Sequence, residues 1–163
     1  MVYITTDTSY NMFIETSVPE NEIIISRTDL QGMITYVNET FAMISGYEAD
    51  ELIGKPHNIV RHPDMPKSVF KDLWETLQRG ESWQGVVKNK RKDHGYYWVH
   101  ANVSGVYKEG KLVEYKSLRA PIDRETKIKI QNHYDALKQE EETCSLVVLY
   151  VSDEQLEMIK KIV

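Results

Sequence analysis

The stretch Asn58-Ile59-Val60-Arg61-His62-Pro63-Asp64-Met65-Pro66 gathers groups able to do chemistry in a short span. The guanidinium fork of Arg61 matches phosphate oxygens; its plain alternative is a surface arginine paired with Asp64. His62 titrates near neutral pH and can sense a neighbouring charge. With Asp64 it can equally form a hydrogen-bonded pair that only locks the loop. Asn89 lies in the alternating run Trp83 to Asn89, on one face with Gly85 and Val87. An amide on such a face is expensive to bury without a partner, so it meets either a ligand or the backbone near the strand end. Gly85 lets a ring approach the sheet closely or marks a bulge. Phe70, Leu73 and Trp74 recur at helical spacing, where aromatic residues wall a pocket or fill a core. These groups suit holding a ligand better than breaking bonds.

Other chemistry finds little footing. The single cysteine, Cys144, permits no intrachain disulfide and no cysteine metal cluster. The five histidines are scattered without metal-ligand spacing. Ser45 and Ser68 lack the setting of a nucleophile, and no phosphate-loop or kinase pattern is present, so no enzymatic activity is expected. A net charge of −5 without a basic run argues against nucleic acid. No apolar stretch is long enough to span a bilayer and no signal-peptide layout opens the chain, which leads us to expect a cytoplasmic protein. With 41% apolar and 28% charged residues over 163 positions, the chain can bury one core.

The elements that must position these groups follow from periodicity and breakers. A short helix around Tyr10 to Glu15 is expected in an N-terminal cap, residues 1–21. Strands are expected at Glu22–Arg27 and Met33–Val37, joined by a turn at Asp29-Leu30-Gln31-Gly32. Asn38 is placed to cap a helix over Glu39–Ile44 that Gly46 ends. Asp64 is placed to cap the next helix, whose stripe is Val69, Phe70, Leu73, Trp74 and Leu77. Three strands follow, Ser82–Lys90, Tyr96–Tyr107 and Leu112–Ala120. Asp123–Glu142 reads as a charged helix with Ile130, Tyr134 and Leu137 on one face, and Ser145–Val163 as a strand and a short helix. The order implies an α+β layout, a five-stranded antiparallel sheet with short helices on one face enclosing a ligand cavity. Trp98, on the outer face, suits docking of a partner or cover by the chain's own termini.

The residues Ser26 to Gly32, Ile34 to Asn38, Ser45-Gly46-Tyr47, Glu51 to Gly54, Pro56 to Pro66, Trp83, Gly85 to Asn89 and Tyr97-Trp98-Val99 resemble PAS domains of the bacterial aerotaxis and energy-taxis type. The resemblance covers residues 22–122. It implies a PAS fold holding FAD non-covalently and sensing redox state. It also implies flavin contacts at Asn38, Arg61, His62, Asp64, Trp74 and Asn89, with His57 and Asn58 beside them; Phe70 and Gly85 join the candidate site from their spacing and size. The chain looks like stand-alone members that signal to a separate membrane chemoreceptor-type partner through the outer sheet face and termini, with residues 123–163 as an output or homodimer surface. No cysteine lies where an adduct-forming light sensor needs one. Two alternatives stay open: a haem-binding PAS sensor using His57, His62 or His100, and a cofactor-free interaction module.

Overall fold

In a computed structural model, residues 8–150 are described. Five antiparallel strands form one sheet in the order β2-β1-β5-β4-β3. They are β1 (Ile24–Thr28), β2 (Ile34–Val37), β3 (Trp83–Lys90), β4 (Tyr96–Lys108) and β5 (Lys111–Ala120). The β1–β2 turn is fixed locally. Asp29 Oδ1 accepts from the backbone amides of Gln31 and Met33, and Gly32 takes a φ of 84°, which favours glycine.

Between β2 and β3 the chain crosses one face of the sheet as α1 (Glu39–Ser45), α2 (Ala49–Leu52), a 3-10 turn (His57–Val60) and α3 (Lys67–Gln78). Asn38 caps α1 as expected: its Oδ1 accepts from Phe41 N and also from Ile25 N, tying the helix to β1. Phe41, Ile24, Ile34, Leu52, Val60 and Val99 are fully buried between these helices and the sheet.

Two expectations for α3 need correction. Asp64 does not cap it; Pro66 stands at the N-cap without a side-chain bond, because the Asp64 carboxylate is taken by Lys88 Nζ at 2.7 Å. Trp74 is not core. Leu73 and Leu77 face inward, whereas Trp74 remains 42% exposed and meets Tyr115 edge-on at 5.6 Å.

A further helix, α4 (Arg124–Tyr150), covers the opposite face. Asp123 holds its start by accepting from the amide and hydroxyl of Thr126. Tyr134 stacks on Trp98 at 6.4 Å and donates to Val86 O at 2.5 Å; Ile130 and Leu137 pack beside it. The outer-face Trp98 is thus covered by the chain's own terminal helix. The apolar face formed by Ile130, Tyr134 and Leu137 is packed within the molecule. The helix also outruns its expected end at Glu142, and its extension to Tyr150 replaces the strand expected after Ser145. Residues 151–163 lie outside the described residues. The N-terminal segment runs through a 3-10 turn (Thr8–Phe13), bridges Tyr96 at Glu15 and pairs Glu15 with Lys127 of α4. Among the described residues, no helix is long and apolar enough to cross a membrane.

Candidate functional site

Strand alternation decides what faces α1–α3. The register sets Ser26, Ser117, Val103 and Trp83 in one row across the sheet, and Ile24, Arg119, Ala101 and Gly85 in the next. Polar side chains therefore stand inward on β1 and β5 amid an apolar surround. Between this face and α3 lies a cavity of about 280 Å³. Its walls include Ser26, Thr28, Ser117 and Arg119 of the sheet, Trp83, Val87 and Asn89 of β3, and Phe70, Leu73, Trp74 and Leu77 of α3. His57, Asn58 and Arg61 close another side.

Arg119 dominates the electrostatics. It is 6% exposed, and no carboxylate pairs with it among the described residues. Its guanidinium donates to Ser26 Oγ at 3.0 Å and His57 Nε2 at 2.8 Å and lies over the Phe41 ring at 5.4 Å. Guanidinium only donates, so His57 Nε2 accepts and the imidazole is neutral with its proton on Nδ1. Ser26 Oγ, 3.1 Å from the same nitrogen, completes a triangle. Burial and the Arg119 charge lower the His57 pKa to about 3. Burial also lowers Arg119 to about 10, despite the help of Tyr97. A buried cation held only by neutral acceptors is short of negative charge.

Two further groups are short of partners. Tyr97 Oη and Ser117 Oγ are buried without a hydrogen-bond partner among the described residues. Burial pushes Tyr97 up to about 12, offset in part by Arg119 and by the amide of Asn89. Asn89 is thus close enough to soften the desolvation of Tyr97 Oη without satisfying it.

Six of the residues expected from sequence line the cavity: His57, Asn58, Arg61, Phe70, Trp74 and Asn89. Arg61 does not pair with Asp64; it stacks its guanidinium on the Phe70 ring at 3.9 Å, and its backbone bridges Asn89. Gly85 does admit a ring, but the ring is that of Trp83, which a Cβ at position 85 would approach to 2.4 Å. Trp83 is fixed there by donating from Nε1 to Asp72 Oδ2 at 2.8 Å.

Asn38, His62 and Asp64 are not among the lining residues. Asn38 spends both ends of its amide on backbone, including Ile23 O at 2.8 Å. His62 Nδ1 accepts from Asp64 N at 3.0 Å, the loop lock foreseen as the plain reading. Burial and Lys88 lower the His62 pKa to about 4, against the pull of Asp64. Asp64 is held below the ordinary carboxylate value: burial, the largest single influence, raises it, and the hydrogen bond and charge of Lys88 together with the charges of His62 and Lys138 outweigh that. Of the other candidate haem ligands, His57 turns Nε2 to Arg119 and His100 is exposed outside the cavity.

Sequence reading missed Arg119, Ser26, Ser117 and Trp83. The signal was present: Tyr115, Ser117 and Arg119 alternate along β5 as Gly85, Val87 and Asn89 do along β3, so the buried-polar argument applied to Asn89 extends to them.

A family profile described as the PAS fold matches residues 34–119. The aerotaxis receptor of Escherichia coli is 47% identical over 122 residues, which is 75% of this chain and 24% of the receptor. The chain thus spans about a quarter of that relative's length. Among solved structures, the PAS domain of a Colwellia psychrerythraea protein superposes with a TM-score of 0.57 at 24% identity, covering 61% of this chain and 86% of that one. A light-oxygen-voltage domain studied with a flavin analogue gives 0.57 at 22% identity, covering 74% of this chain and 86% of that one. At these identities the structural likeness speaks for the fold alone. The profile runs from the start of β2 to Arg119 in β5, through every cavity-lining element except β1 and the turn that follows it, and by that match the chain belongs to the PAS family.

Proposed function

We propose that the chain is a cytoplasmic redox sensor that holds FAD non-covalently in this cavity and signals to a separate chemoreceptor-type partner. The observation that carries the reading is Arg119, a buried cation with only neutral partners among the described residues, facing a cavity into whose wall the unpartnered Ser117 Oγ is also set. The relationship to an aerotaxis receptor supports the signalling role.

The residues fit the group. The cavity is at the small end of ligand pockets, sized for a ring system rather than a whole dinucleotide. Trp83, Phe70, Leu73 and Val87 supply apolar walls, and Asn89 supplies an amide that both donates and accepts. Asn58 and Arg61 line both the cavity and the adjoining groove, so they stand where a phosphate-bearing tail leaves. When bound, the flavin supplies reversible uptake of electrons and protons. Arg119 stabilises whichever state sets negative charge against it, and thereby ties the redox balance to this fold. Ser26 and neutral His57 hold the guanidinium in place. The placement of His57, His62 and His100 gives haem ligation no support.

The absorbance spectrum of the purified chain tests this. A flavin spectrum is expected, with FAD recovered on release and occupancy reduced in Arg61→Ala and Asn89→Ala. A Soret band, or colourless protein that takes up no added FAD, overturns the reading.

A further inference from the structure

Three residues of α4 fasten it to the loop before α3 and to the first turn of that helix. Glu141 lays its carboxylate on the first turn of α3: Oε1 accepts from Ser68 N at 2.9 Å and Oε2 from Lys67 N at 3.1 Å. Pro66 has no side chain able to cap these amides, so the cap of α3 comes from another helix. Lys138 Nζ donates to Pro63 O at 2.8 Å. Lys88 Nζ joins Asp64 Oδ2 at 2.7 Å to Gln131 Oε1 at 3.0 Å. Glu141 and Lys138 directly, and Gln131 through Lys88, engage residues from Pro63 to Ser68.

The same strip of backbone begins at the cavity. Arg61 bridges Asn89 and lies on Phe70, both of which line the cavity. Lys88 follows Val87 and precedes Asn89 in β3, so its side chain leaves the sheet on the α4 side. Pro63 and Pro66 stiffen the strip between the two sets of contacts. A shift at Arg61 or Asn89 therefore moves the amides that Glu141 grips. A two-pronged grip tolerates little misalignment.

We propose that residues 61–68 couple the cavity to α4, with Glu141 and Lys138 as positioning residues that hold the helix in a docked state whose population follows the state of the ligand. Only the nature of the ligand rests on the flavin reading; the clasp does not. Coupling of this kind is reciprocal, so changes at either end register at the other.

Hydrogen exchange of α4 in the full chain tests it. Glu141→Ala is expected to speed exchange across α4 by about fivefold, the worth of a lost helix cap. The exposed neighbour Glu140→Gln leaves it unchanged. Arg61→Ala combined with Glu141→Ala is expected to depart from the product of the single effects. Reduction of the wild-type protein is expected to change α4 exchange, and Glu141→Ala to abolish that change. Unaltered exchange in Glu141→Ala, or a multiplicative double variant, overturns the proposal, as does a fully reduced flavin protein whose α4 exchanges as before. A chain that takes up no flavin removes the flavin reading alone, because the first two comparisons use no ligand.

Discussion

A guanidinium shut in with a serine, a neutral histidine and a ring face is costly to keep. Its removal separates stability from function. Arg119→Met is expected to leave the urea midpoint of the ligand-free chain unchanged or raised, since an apolar side chain of similar reach carries no desolvation cost. The same substitution is expected to lower the flavin midpoint potential by some tens of millivolts, the scale of one lost charge-assisted hydrogen bond. Spectroelectrochemical titration measures it, and an unmoved potential removes Arg119 from the redox role. Asn89 was legible in the sequence because its strand neighbours are small and apolar. Arg119 was passed over although its alternation with Tyr115 and Ser117 was visible, because a charged residue in a strand ordinarily points to solvent, and closure of α1–α3 over the sheet is what turns that face inward. Asp64 was misread for a related reason: the rule for a helix start is local, whereas Lys88 reaches it from a strand distant in sequence.

Element boundaries followed local chemistry. Asn38, Gly46 and the Asp29 turn work as the sequence implied, and the five strands lie within a few residues of their expected limits. The end of α4 escaped prediction because a short apolar run such as Leu146 to Tyr150 suits a strand or a buried helix turn alike. The stacking of Trp83 across Gly85 was also hidden, since nothing in one strand says which ring fills the gap. Gly85→Ala puts a methyl 2.4 Å from the indole. Trp83 must swing, break its bond to Asp72 and enter the cavity. The expected cost is about 1–3 kcal/mol, as for other overpacked cores, with altered tryptophan emission; chemical denaturation followed by fluorescence reads both. A variant as stable as wild type with unchanged emission contradicts this packing.

Acid sensitivity belongs to the whole molecule. His57 and His62 titrate at about 3 and about 4 in the fold, below the ordinary value of 6.5. Between those values the unfolded chain binds protons that the folded chain refuses, so stability falls as pH drops from about 6.5 towards 4. Each histidine contributes a slope of up to about 1.4 kcal/mol per pH unit. Below the ordinary carboxylate range, Asp64 and Glu141 add to the loss, because both are held below their usual values in the fold. Urea midpoints at pH 7, 6 and 5 are expected to decline steadily, and less steeply in His57→Asn; a flat profile would show that the two imidazoles take up protons in place.

The loop from Arg61 to Met65 has one more consequence. Strand β3 forms an edge of the sheet, and the loop covers part of that edge through the Arg61–Asn89 bridge and the contact of Lys88 N with Met65 Sδ at 3.3 Å. An edge without such cover is a template on which a strand of another molecule can add. Whatever loosens the loop also uncovers backbone hydrogen-bonding groups along β3, so its order guards the chain against self-association and insolubility.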